Sequence, residues 1–140
     1  MGHGGDDHTQ YLIPTNVTGG GIGDATVIQV SAGSSHSMAI TAVREVWTWG
    51  DGDAGQLGHG EKEHLAVPRG VEGIEGAVGV AGGVHHSVVS TDEGRVLVFG
   101  NGHGSLGLGV AEALAPTVIE GINTGHGDKE MEGKDYWETI

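Results

Sequence analysis

Apolar positions along this chain come in short runs rather than in stripes spaced three or four residues apart. TVIQV (26–30), SMAIT (37–41), EVWTW (45–49), AVGVA (77–81), SVVST (87–91) and RVLVF (95–99) are five residues each and rich in β-branched or aromatic side chains. Gly, Asp and Asn bound them, which is the pattern of short strands joined by turns. Helical periodicity is nearly absent. The 29 glycines interrupt almost every window, and each interior glycine costs a helix about 1 kcal/mol relative to alanine. The chain is predicted to be all-β.

The runs also repeat. VSAGSSHSMAITAVREVWTWG (30–50) lies over VAGGVHHSVVSTDEGRVLVFG (80–100) without a gap. Val30 falls on Val80, Gly33 on Gly83, His36 on His86, Ser37 on Ser87, Trp49 on Phe99 and Gly50 on Gly100. GDGDAGQLGHG (50–60) then meets GNGHGSLGLG (100–109) with one deletion, so Gly52 falls on Gly102 and Leu57 on Leu106. PRGVEGI (68–74) meets PTVIEGI (116–122), and PTNV (14–17) is a partial third copy of that last element. Self-similarity at a fixed period is the signature of a repeat architecture.

The stretches that carry the match are VSAGSSHSMAIT with VWTWGDGDAGQLGHG, and VAGGVHHSVVST with VLVFGNGHGSLGLG. They resemble the repeat of the regulator of chromosome condensation family over residues 26–122. The resemblance implies a β-propeller built of four-stranded antiparallel blades. Two repeats, about 26–75 and 76–122, would supply two blades. A propeller closes with about 4–8, so the ring is expected to be incomplete. Residues 1–25 form a leader with an outer strand expected over 11–17. Residues 123–140 form an acidic tail expected to be flexible.

In that frame the repeated residues are structural. Val30 and Val80 are expected to begin strands near the propeller axis, with Gly33 and Gly83 letting neighbouring blades approach. His36 and His86 are read as buried hydrogen-bonding residues that tie a loop to an adjacent strand. Trp49 and Phe99 fill the space between sheets, and Gly50, Gly52, Gly100 and Gly102 turn the chain where a Cβ would clash. One departure concerns the hairpin before the tryptophan strand. DEGR (92–95) supplies a glycine, Gly94, whereas AVRE (42–45) has Arg44 in that place. Since positive φ strains a side chain like arginine's, a different turn type is expected there.

Charge narrows the partner. Six basic residues against nineteen acidic give a formal net charge of −13. That disfavours a nucleic-acid backbone, which needs clustered Lys and Arg, and suits a basic protein partner. No window approaches the roughly 18 apolar residues of a membrane span. The N-terminus has no signal-peptide pattern. The absence of cysteine removes disulfides and thiolate chemistry and is compatible with cytoplasm or nucleus.

Asp51-Gly52-Asp53-Ala54-Gly55 opens like a calcium loop, but the twelfth position is Lys62 and no flanking helix is expected. The second copy has Asn101 and His103 in place of the acids, which favours a structural turn. The glycine-rich loops lack the Gly-Lys-Ser/Thr of a phosphate loop. His59 and His64, and the adjacent His85 and His86, suggest no metal centre without cysteines or a helical His pair. Ser37 and Ser87 sit beside the repeated histidines, but neighbouring strand residues face opposite sides. No catalytic, cofactor or metal residues are assigned.

The function expected is therefore non-enzymatic protein–protein interaction. Variable turn positions would choose the partner: Asp51, Asp53, Glu61, Glu63 and His64 on one loop, Asn101 and His103 on its counterpart. Two alternatives remain open. One is a guanine-nucleotide exchange factor-like regulator of a small GTPase, as the resemblance allows, although no residue carries over to that role. The other is a purely structural blade pair in a larger assembly. Two blades leave apolar faces open, so self-association to complete a propeller is also expected.

Overall fold

The computed structural model of the chain describes residues 13–104 and 106–121. They fold into two four-stranded antiparallel sheets of the same topology. The first holds β1 (Val27–Ala32), β2 (His36–Thr41), β3 (Val46–Gly50) and β4 (Leu65–Gly70) in that order. The second holds β5 (Ala77–Gly82), β6 (His86–Thr91), β7 (Val96–Asn101) and β8 (Glu112–Val118). The two sheets are not closed into a ring. Six strands match the apolar runs of the sequence. The other two, β4 and β8, each contain a proline, Pro68 and Pro116, which suits the edge strands they form.

The repeat extends to irregularities. Register shifts between Val27 and Gln29 and between Thr48 and Gly50 recur between Ala77 and Gly79 and between Val98 and Gly100. Gly50 and Gly100 have φ of 106° and 103°. A Cβ on either would strike backbone, at Ser35 O for Gly50 and His85 O for Gly100. Glycine is the residue that fits such a bulge.

Three expectations need correction. Val30 and Val80 do not begin strands; they sit fourth in β1 and β5. The hairpin at Arg44 is not a different turn type. Arg44 takes φ 66° where Gly94 takes 83°. Both turns close with the same bonds: Arg44 N–H to Thr41 O at 2.9 Å and Gly94 N–H to Thr91 O at 3.0 Å. Sheet pairing on both sides holds the arginine in the left-handed region. Residues 13–18 are not in a strand; 11 and 12 of the strand expected over 11–17 lie outside the described residues. A short 3-10 segment, Gly19–Asp24, follows and packs on β4.

The main core lies between the sheets. Met38, Ile40 and Val46 of the first meet Val89, Leu97 and Phe99 of the second, with Val71 and Ile74 of the connecting loop. Phe99 is 0% exposed, as a large ring filling the space between blades should be. On the outer side of the first sheet a smaller cluster joins Trp49 and Ala39 to Ile22, with Val17, Ala25 and Leu65 against it.

Candidate functional site

Two regions need a chemical account: the seam between the sheets and the turns that follow β3 and β7. At the seam, His36 Nε2 lies 2.8 Å from Ser87 Oγ, and the Ser87 hydroxyl donates to Gln56 O at 2.7 Å. A hydroxyl has one proton to give. Since Gln56 O takes it, His36 must donate from Nε2 and Ser87 accept. Burial holds the His36 imidazole below its ordinary value of 6.5, with Asp51 pulling the other way; the neutral ring suits this role. His36, at the start of β2 rather than in a loop, therefore ties one blade to a strand of the next, whereas His86, expected to do the same, is half-buried and its ring has no hydrogen-bond partner among the described residues. The sequence argument against a pairing of adjacent serine and histidine holds. The pair that forms joins residues 51 apart, and no local signal could have shown it.

A serine beside a histidine also raises the question of nucleophilic catalysis. Here the geometry serves cohesion instead. Ser87 is 0% and His36 2% exposed, and the hydroxyl proton is committed to a carbonyl, away from the imidazole. Gly33 has His36's ring against it: a Cβ there would strike Cε1 and come within 2.6 Å of Gly83 O. Gly83 bears the same relation to His86. The seam is completed by Ser34 N–H to Gly83 O at 3.1 Å and Gly82 N–H to Ser31 Oγ at 3.1 Å.

The turn after β3 is an Asx turn. Asp51 Oδ1 accepts the N–H of Asp53 at 2.8 Å, and Asn101 Oδ1 accepts that of His103 at 2.9 Å. Aspartate and asparagine share a side-chain carbonyl oxygen, so each can make this bond. Charge is thus free to vary at the position while shape is not. His103 takes φ 49° and its ring meets His85 edge-on at 6.3 Å between centroids.

Around Asp51 and Asp53 several loop side chains make charged contacts, within the loop and beyond it. His64 Nε2 lies 2.9 Å from Asp53 Oδ1 and its Nδ1 3.5 Å from Asp51 Oδ1. Glu61 meets Arg69 at 3.2 Å, and Lys62 crosses to Glu112 of the second blade at 3.0 Å. Among the described residues Asp51, Asp53 and His64 are the one trio with metal-ligand chemistry, their ligand atoms all within 4.8 Å. His59, grouped with His64 by sequence, is elsewhere: its Nε2 lies 2.9 Å from Thr48 Oγ1, and burial and then Arg69 hold its imidazole below 6.5. Glu63 is exposed.

Sequence reading missed a groove. At the opposite end of β3 a cavity of about 550 Å³ opens between the sheets, lined by Glu45, Glu72, Glu75 and Glu93 together with Arg95. Glu45 and Glu93 come from two hairpin turns and Glu72 and Glu75 from the loop between β4 and β5, three segments that only blade packing assembles.

Two like sheets packed face to face through one seam define a pair of adjacent propeller blades. Family models of the regulator of chromosome condensation (RCC1) repeat match residues 27–56 and 45–90, and the chain carries repeats of that family. It is 37% identical over 126 residues, 87% of its length, to the E3 ubiquitin-protein ligase HERC2 of Homo sapiens, of which it spans 2%. Protein RCC2 of Homo sapiens is 40% identical over 100 residues, 69% of this chain and 19% of that protein. The chain thus spans a small part of each relative. Among solved structures, human WBSCR16 superposes with a TM-score of 0.65 at 28% identity, over 73% of this chain and 26% of the other. Yeast RCC1 (Prp20), solved bound to Kap60, gives 0.61 at 21%, over 69% and 25%, and shares the fold. No helix among the described residues is long and apolar enough to cross a membrane.

Proposed function

We propose that the chain is a non-enzymatic protein-interaction module that meets a basic partner surface through the turn after β3, with its counterpart after β7 alongside. The observation that carries this reading is the division of labour among the repeated and variable positions. His36, Phe99 and Gly33 are consumed by the seam, whereas Asp53, Glu61, Glu63 and His64 face solvent. Four acids against one lysine between 51 and 64 give that loop a field that favours cations and speeds their approach. Asn101 and His103 keep the turn's shape without the charge, so the two blades present different surfaces from one scaffold.

A lysine-rich peptide is the probe, titrated onto the full chain at rising salt. Binding should weaken steadily with ionic strength. Asp53→Lys, Glu61→Lys and Glu63→Lys combined with Asp51→Asn, which keeps the Asx turn, should lower affinity about tenfold or more. Charge reversal at Glu45, Glu72, Glu75 and Glu93 in the groove is the control and should leave most of the affinity. Equal loss from the two sets would mean net charge alone attracts the peptide, and no loss from the first would refute the loop assignment.

A further inference from the structure

The seam between the two sheets is a template for a second seam, and the chain carries both halves of it. On the second sheet, Val88 and Val96 hold the places that Met38 and Val46 hold on the first. Met38 and Val46 are 0% exposed against the second blade, whereas Val88 and Val96 are left partly exposed. His86 repeats His36, yet among the described residues its ring has no hydrogen-bond partner.

The outer face of the first sheet is the other half. Val30 repeats Val80. Val80 packs against the core between the sheets, but Val30 is 69% exposed. Ser37 repeats Ser87 and has no His36-like ring to accept from among the described residues. Val17 and Ile22 lie on this face next to Trp49 and Ala39, as Val71 and Ile74 lie with Phe99 and Val89 in the complete seam. Among the described residues the connecting segment is therefore in place, and no sheet packs on its other side. A cavity of about 320 Å³ marks the gap, lined by Val17, Ile22, Ala25, Val30, Ala39 and Trp49.

We propose that these two faces bind each other between copies of the chain, head to tail, with His86 of one copy donating to Ser37 of the next. A second copy is the occupant because the chain itself shows the equivalent pair of faces docked at its internal seam, with His36 and Ser87 in the places of His86 and Ser37. Such an interface is heterologous, so it adds copies until a ring closes or a filament grows. Each copy brings two blades, and rings of about 4–8 blades need two, three or four copies.

The test is mass in solution across a concentration series, with the full chain. The chain should exceed its 14.2 kDa monomer mass when concentrated and return to it on dilution. Val30→Glu and Val96→Glu, on opposite faces, should each give a monomer. Mixed, they should form a one-to-one dimer, because each variant keeps the face the other has lost; a symmetric interface could not do this. Circular dichroism melts check that both variants fold. His86→Ala and Ser37→Ala are milder substitutions and should each weaken association about three- to tenfold, the worth of one hydrogen bond.

A monomer at every concentration, association that survives Val30→Glu, or a mixture that stays monomeric would overturn the proposal. This interface is separate from the acidic turn. The loop variants used with the lysine-rich peptide should leave the mass unchanged, so the two readings fail independently.

Discussion

Replacing Ser87 with alanine tests the seam most directly. The substitution keeps the strand and removes one oxygen, but it strands two buried groups at once: the Nε2–H of His36, 2.8 Å away, and the Gln56 carbonyl at 2.7 Å. Each unsatisfied buried group costs about 1–3 kcal/mol. Partial relaxation of the imidazole recovers some of that, so about 2–4 kcal/mol is expected for the pair. This is a large share of the roughly 5–15 kcal/mol that holds an ordinary domain together. The chain supplies its own control, since Ser37 occupies the same place in the first repeat and makes no such bridge among the described residues. Ser37→Ala should cost under about 0.5 kcal/mol. Urea denaturation followed by tryptophan fluorescence, at a dilution where the chain is monomeric, measures both, with unchanged m-values as the check on two-state behaviour. A Ser87→Ala cost below about 1 kcal/mol, or one no greater than that of Ser37→Ala, would refute the assignment of cohesion to this bond.

Three further outcomes are expected. Arg44→Gly should stabilise by about 0.5–1 kcal/mol, because left-handed backbone costs a non-glycine residue about 1–2 kcal/mol and glycine's added chain entropy returns only part of it; Gly94→Ala should destabilise, and thermal melts read both. Stability should be constant above pH 6.5 and fall as the medium is acidified below it. Burial lowers the folded-state pKa of His36 and His59, so the unfolded chain binds their protons first, with a slope of up to about 1.4 kcal/mol per pH unit for each proton; His36→Gln should flatten the curve in a pH series of urea melts. Phe99→Ala should cost about 3–5 kcal/mol by emptying the main core, and a loss below about 1.5 kcal/mol in the same assay would show that the sheets hold together without it.

Much of the fold is legible in sequence because β-structure writes itself in local terms. Runs such as SMAIT and SVVST announce strands by composition, and the glycines and Asx residues between them announce turns. The gap-free match of 30–50 on 80–100 adds that whatever one half does, the other does too. These implied three strands of each blade, the need for glycine at Gly50 and Gly100 and the packing of Phe99 between the sheets; Trp49, expected there too, lies on the outer side of the first sheet. The candidate loop was visible as variable positions within an invariant frame, though not its internal pairing: Asp51 and Asn101 looked like a lost charge until the shared hydrogen bond to residues 53 and 103 showed a retained shape.

What the tertiary structure alone decided lies between the sheets. A repeat specifies register inside each sheet, through turns and alternation, but the docking of one sheet on another depends on side chains some 50 positions apart. Thus His36 reached Ser87, four glutamates from three connections met in one groove, and Arg44 was held at a positive φ because its hairpin is clamped from both ends. The same division explains why His36 and His86, equal in sequence, differ in the fold. One has a neighbouring blade to donate to, and the other faces the side where the described residues place no further sheet.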